Sequence, residues 1–316
     1  MSTTQHDRLR VVVGYDGSPG SARAVEWAAE QCNLRHLPLE VRSVVEPVGP
    51  VAVDLLDDDW AEEDQDVADR LAREGAEIAA GSCRFQVLTR GVVGHPVAAL
   101  VDGSDSAALL VVGAQGAVWQ PSRVLGSVAF AVTVHADCPV AVVHGAPPRQ
   151  LGPRNPVVVG VDGSRSASAA LLQGTDLAAR SGAELVVVST WRSGRRRAGA
   201  AAASSRGGRP DPEAAAQAVA LAEVERAHLV RPEVAASTRV IEGSPAAVLA
   251  ELSADAGVVV VGSRGHGGFA GMLLGSVTRR LVHEARCPVV VTRRVQQEQE
   301  HELPALATAA LRPQEP

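Results

Sequence analysis

VVVGYDGSPGSARA, residues 11–24, returns further along the chain as VVVGVDGSRSASAA, residues 157–170. Each copy begins with consecutive apolar β-branched residues, breaks at Asp-Gly-Ser and continues into small residues. An apolar run with no polar alternation is what a strand buried on both faces requires. Asp-Gly-Ser supplies turn chemistry and a helix cap. The stretch therefore reads as strand, tight turn and helix, the opening of a βαβ unit.

Four further blocks repeat in the same order. GHPVAAL (94–100) returns as GSPAAVL (243–249), and LLVVGAQG (109–116) as VVVVGSRG (258–265). VLGSV (124–128) returns as LLGSV (273–277), and CPVAVV (138–143) as CPVVVT (287–292). The offset is 146 at Asp16/Asp162 and 149 from Gly94/Gly243 onward, so about three net residues were gained between the copies. A register this steady marks two copies of one domain. Domain one is expected over residues 1–146 and domain two over 153–295, with a short Pro-containing linker at 147–152 and a frayed tail at 296–316.

Within domain one, strands are expected at 10–14, 39–45, 85–89, 108–113 and 140–144, and helices at 19–34, 61–80, 96–103 and 126–136. Alternating strands and helices with right-handed crossovers give an α/β fold: a doubly wound, five-stranded parallel sheet flanked by helices, built twice.

Composition narrows the chemistry. The chain has 316 residues, 46% hydrophobic and 21% charged, enough to bury two cores. Its longest apolar runs are strand-sized, far below the roughly 18–20 residues of a membrane helix. With a polar N-terminus as well, the expectation is a cytoplasmic protein with no membrane contact. The chain contains no lysine, which excludes a phosphate-loop lysine, a kinase lysine and a Schiff-base lysine. Cys32, Cys83, Cys138 and Cys287 form no CxxC pair and read as buried structural thiols. The nine histidines are scattered, so no dedicated metal site is expected.

In an open parallel sheet, ligands bind at the carboxyl ends of the strands, where the strand order reverses. Two features fall there in both copies. The first is the acid after strand one, Asp16 and Asp162. Taken alone it reads more readily as a turn residue capping the next helix than as a ligand-binding carboxylate, and its recurrence does not decide between them. The second is the loop after strand four. It reads Gly113-x2-Gly116-x9-Gly126-Ser127 in one copy and Gly262-x2-Gly265-x9-Gly275-Ser276 in the other. The early glycines are expected at positive φ, bringing backbone close to a ligand. The closing Gly-Ser puts amides and a hydroxyl at a helix N-terminus, where anions are favoured. Such a loop can wrap a triphosphate without a lysine.

Together with the Asp after strand one and the Cys-Pro-Val strand that ends each copy, this loop resembles the universal stress protein family over residues 10–145 and 156–293. The resemblance implies a Rossmann-like fold of the adenine nucleotide alpha hydrolase type and a nucleotide-dependent sensor rather than an enzyme. ATP, with Mg²⁺, is the implied ligand. Carried over by position, its site comprises Asp16, Val44, Gly113, Gly116, Gly126, Ser127 and Val128 in domain one. In domain two it comprises Asp162, Thr190, Gly262, Gly265, Gly275, Ser276 and Val277. The strand-two residues hold adenosine through their backbone, and the loop holds phosphates. Both sites are expected to bind, with site two, whose loop is closer to the family's form, preferred. The final strands of the copies are expected to pair with each other, leaving homodimerisation and an unknown protein partner open. An ATPase or related enzyme on the same scaffold is the rival reading, though the chain has neither an HxGH step nor an SGGxDS loop. A nucleotide-free scaffold is the third.

The connections after strand two differ in charge. Residues 54–66 hold eight acids and residues 192–209 six arginines. The first 146 residues carry 10 Arg against 20 acids and the remainder 20 Arg against 16. Without interleaved aromatics, and in an acidic chain, the arginine run does not read as a nucleic-acid site.

Overall fold

The computed structural model describes residues 9–47, 58–116, 125–145, 148–193, 211–265 and 274–293. The glycine-loop tips at 117–124 and 266–273 lie outside these residues, as do residues 54–57 of the acidic run, most of the arginine run and the tail.

Domain one runs β1 (Arg10–Gly14), α1 (Pro19–Arg35), β2 (Leu39–Val45), α2 (Asp58–Ala80), β3 (Val87–Val93), α3 (Pro96–Val101), β4 (Ala107–Gly113), α4 (Ser127–His135) and β5 (Val140–Val143). Domain two repeats it as β6 (Val157–Gly160), α5 (Arg165–Ser181), β7 (Leu185–Trp191), α6 (Pro212–Val230), β8 (Ala236–Glu242), α7 (Pro245–Leu252), β9 (Val258–Gly262), α8 (Ser276–Glu284) and β10 (Val289–Thr292). The strand order is β3-β2-β1-β4-β5-β10-β9-β6-β7-β8, one sheet of ten strands. Each half is wholly parallel, and the halves join through an antiparallel β5–β10 pair, with Val142 opposite Val289 and Val140 opposite Val291. The terminal strands thus pair within the chain, as the repeat led us to expect.

Pleating sends alternate strand residues to opposite faces. Val11 and Val13 enter one core with Trp27 of α1, Leu171 of α5 and Ala227 of α6. Val12 enters the other with Leu100 of α3, Val132 of α4 and Leu281 of α8. Both faces of the sheet are therefore covered, which is why its strands carry no polar alternation.

Three expected boundaries move by two residues or more. Helix α2 begins at Asp58, three residues before the expected start at 61. The third strand occupies 87–93, not 85–89, because it pairs along the whole of β2, from Leu39↔Val87 to Val45↔Val93. Phe85 lies before it, its ring 5.5 Å from that of His36. Helix α3 ends at Val101, two residues early, because Gly103 adopts φ +73° and turns the chain into a short 3₁₀ segment. Of the thiols, Cys32, Cys138 and Cys287 are buried as expected, but Cys83 is only half-buried. Burial pushes Cys138 and Cys287 up to about 12, so both remain protonated, unreactive thiols near neutral pH.

Candidate functional site: the strand ends at the switch points

Strand order reverses between β1 and β4 and again between β6 and β9. The two turns that follow β1 and β6 are built alike. Gly17 and Gly163 both take φ +79°, which lets the chain reverse directly into a helix. Ser18 and Ser164 cap α1 and α5, accepting the Ser21 and Ala167 amides. Asp16 Oδ1 accepts the Ser18 amide at 3.1 Å, and Asp162 Oδ1 accepts the Ser164 amide at 3.0 Å. The acid after strand one is thus a turn residue through one oxygen.

Its other oxygen faces the glycine loop. A Cβ placed on Gly265 would lie 2.3 Å from Asp162 Oδ2, and one on Gly116 would lie 2.8 Å from Asp16 Oδ2. The two readings of this acid are therefore compatible: one carboxylate oxygen shapes the turn and the other borders the loop.

The early loop glycines do not take positive φ; Gly113, Gly116, Gly262 and Gly265 are absent from the left-handed region. They are required for close approach instead. A Cβ on Gly113 would meet the Gly20 backbone at 2.8 Å, and one on Gly262 the Ser166 backbone at 2.6 Å. Glycine there lets the end of strand four pack against the first turn of α1 or α5. The far end of each loop is tied back by the same bond: Gly126 N–H donates to Ala114 O and Gly275 N–H to Ser263 O, both at 2.8 Å. Gly126 and Gly275 then precede α4 and α8 with extended backbone. The first amides of those helices, at Ser127 and Val128 or Ser276 and Val277, have no acceptor within the helix. A helix start of this kind suits an anion.

Strand pleating places the remaining pair. Arg42 O accepts from Tyr15 N–H and Val188 O from Val161 N–H, so these residues turn their backbone groups toward β1 and β6. Val45 O and Trp191 O accept from Gly94 and Gly243 on the opposite side. Parity then directs the N–H and C=O of Val44 and Thr190 toward the switch point, beyond the end of the neighbouring strand. Each offers one donor and one acceptor side by side.

In domain two these groups converge on one cleft of about 790 Å³. Asp162, Thr190, Gly262, Gly265, Gly275, Ser276 and Val277 all line it. Residues that motif reading passed over complete it. Pro212, Ala215, Ala216 and Val219 of α6 form an apolar wall, while Pro245 and Leu249 of α7 and Trp191 of β7 close the other side. Pro245 and Leu249 belong to a repeated block, which was the available signal. The α6 residues had none, because their helix follows the divergent connection. Ser166 was also missed; its hydroxyl donates to Arg264 O and braces the loop. Domain one has Gly20 there, and a Cβ on it would come within 2.3 Å of Gln115 O.

A sheet doubly wound in each half, with an acid, a glycine loop and a helix start at each switch point, defines a tandem α/β protein whose two halves are built alike. The sequence profile of the universal stress protein family matches residues 8–144 and 153–293. The chain belongs to that family. It is 35% identical over 296 residues to universal stress protein Rv2623 of Mycobacterium tuberculosis, covering 90% of this chain and 96% of the relative. To universal stress protein Mb2019 of Mycobacterium bovis it is 33% identical over 324 residues, covering 92% and 97%. Among solved structures, a universal stress protein from Archaeoglobus fulgidus superposes with a TM-score of 0.65 at 20% identity, over 90% of this chain and 98% of that one. Among the described residues no helix is long and apolar enough to cross a membrane.

Proposed function

We propose that this protein binds ATP at both switch points and acts in stress physiology as a nucleotide-responsive regulator, not as an enzyme. One observation carries the reading: the seven domain-two residues assigned from the family resemblance, which come from four separate chain segments, line a single cleft. Its features match the parts of the ligand. The N–H and C=O of Thr190 suit the acceptor and donor on the edge of adenine, with the apolar wall of α6 against the ring. Asp162 Oδ2 borders the place of a ribose hydroxyl. The start of α8 and the loop backbone suit phosphates.

The cleft also fits by volume, since about 790 Å³ lies in the range of pockets that enclose small ligands. Among the described residues no three His, Cys, Asp or Glu side chains gather to hold a metal. In this reading Mg²⁺ arrives on the phosphate oxygens, where it supplies charge neutralisation. The non-enzymatic reading rests on the absence of lysine and on the turn-forming duty of Asp162. Cytoplasmic location follows from the same picture, since ATP is the ligand.

Isothermal titration of the nucleotide-free chain with ATP and Mg²⁺ tests the proposal. Two saturable sites are expected, one lost in Gly126→Val and the other in Gly275→Val. A folded, nucleotide-free sample that takes up no ATP would overturn it and favour a scaffold.

A further inference from the structure

The two domains differ beside their switch points. In domain two a second cleft of about 890 Å³ adjoins the first, and the two share Thr190, Trp191, Pro245, Ser276 and Val277. Beside Gly243, Ser244 and Ala246, its remaining wall carries three arginines and an imidazole: Arg192 just after β7, and Arg279, Arg280 and His283 from the exposed side of α8. Glu284 is the single acid in the lining, and it accepts from Arg280 Nε at 2.7 Å.

Domain one carries none of these basic side chains at the matching positions. Gly94 N–H donates to Val45 O as Gly243 N–H donates to Trp191 O, so Val45 is the counterpart of Trp191 and Glu46 that of Arg192. Phe130 N–H donates to Gly126 O as Arg279 N–H donates to Gly275 O, so Phe130 matches Arg279 and Ala131 matches Arg280. By the same register Val134 stands where domain two has His283. The change is concerted: an aromatic ring replaces an aliphatic side chain, and arginines replace an acid and apolar residues, all around one space.

We propose that site two takes a dinucleoside polyphosphate, while site one takes a mononucleotide. This rests on the nucleotide reading of the first cleft and names the ligand class of the second. One adenosine occupies the first cleft. The phosphate chain passes the Ser276–Val277 start of α8, and the arginines neutralise the charge that a chain longer than a triphosphate adds. The second nucleoside lies in the adjoining cleft, which is as large as the first. Its base stacks on Trp191, which borders both spaces. Base stacking on an aromatic side chain tolerates any base, so the second base is not specified.

The experiment is a titration of the full chain with ATP, adenosine 5′-tetraphosphate and diadenosine tetraphosphate, with Gly126→Val silencing site one. At site two, diadenosine tetraphosphate should bind about tenfold tighter than ATP or more, the increment expected of one or two arginine–phosphate pairs and a stacked base. Arg192→Glu with Arg279→Phe, which installs the domain-one residues outside the first cleft, should erase that preference and leave ATP affinity within about twofold. Trp191→Val should weaken diadenosine tetraphosphate more than adenosine tetraphosphate. Equal affinity for ATP and diadenosine tetraphosphate overturns the inference. So does a gain as large for adenosine tetraphosphate, because the chain alone would then suffice without a second nucleoside. Failure of ATP itself to bind overturns the nucleotide reading of the first cleft instead.

Discussion

At the residue scale, the glycines of one motif do different work. Gly262 stands where a Cβ would meet Ser166 backbone carbon at 2.6 Å, and backbone cannot rotate away. Among the described residues a Cβ on Gly275 meets nothing closer than 3.4 Å, and its φ of −68° suits any residue. Gly262→Ala should therefore destabilise the apo protein by about 1–3 kcal/mol, the usual cost of overpacking. Gly275→Ala should leave stability within about 0.5 kcal/mol, as at positions free of such constraint. Urea unfolding of the two variants side by side measures this. Equal losses would show that the Gly262 contact relaxes.

At the element scale, the two copies of strand two differ in how they meet the helix above them. In domain one Glu40 and Arg42 are buried at 3% and 4% exposure, with Arg42 Nε and Nη2 donating to Glu40 Oε1. Arg42 Nη1 also donates to Ala99 O and Asp102 O, at the C-terminal end of α3, and Arg10 reaches Glu40 Oε2 at 2.9 Å. By the repeat, domain two has Val186 and Val188 at these places, both buried. Removing one partner of a buried ion pair strands the other charge, whereas replacing both by apolar residues is often tolerated. Arg42→Val alone should cost about 3–5 kcal/mol, and the double change Glu40→Val with Arg42→Val distinctly less. Calorimetric or denaturant unfolding distinguishes them; additive losses would mean that the carbonyls of α3, not the charge pair, are what Arg42 serves.

At the scale of the whole molecule, the antiparallel β5–β10 pair reverses one half against the other, so the two switch points open at opposite ends of the sheet. Beyond the strands, polar bonds cross the seam. Glu30 Oε1 accepts the Leu151 amide at 3.1 Å, and Arg180 Nη1 donates to Leu34 O at 3.3 Å. His144, just after β5, pairs Nε2 with Val282 O of α8 at 3.1 Å. A carbonyl only accepts, so Nε2 carries the proton and the neutral ring suffices for this bond. Burial first, and the nearby His283 more weakly, hold His144 below its ordinary value of 6.5, against the opposing effect of its backbone bonds. A depressed folded value contributes stability that is present above the unfolded value of 6.5 and is lost as pH falls from there through the lower folded value. The unfolding midpoint should therefore decline below about pH 6.5, and the decline should be shallower in His144→Asn. Parallel pH profiles for the two proteins would assign the loss to other groups.

Much of the fold was legible because its signals are local and doubled. Runs such as Val11–Val12–Val13 and Val157–Val158–Val159, β-branched and closed by a turn signal, fit strands covered on both faces, and Asp-Gly-Ser fits the cap of a following helix. The repeat itself determined two domains, the glycine loops and the acids beside them, since backbone approach and turn geometry demand particular residue types at particular places. Tertiary structure decided what those residue types cannot encode. Pleat parity, set by which strand pairs where, turned the backbone of Val44 and Thr190 toward the switch point. Packing against the first turn of the helix, not a positive φ, explained the early glycines. The wall from α6 and the cationic space beside Trp191 arise from segments far apart in the chain, brought together only when the sheet closes its order around the switch point.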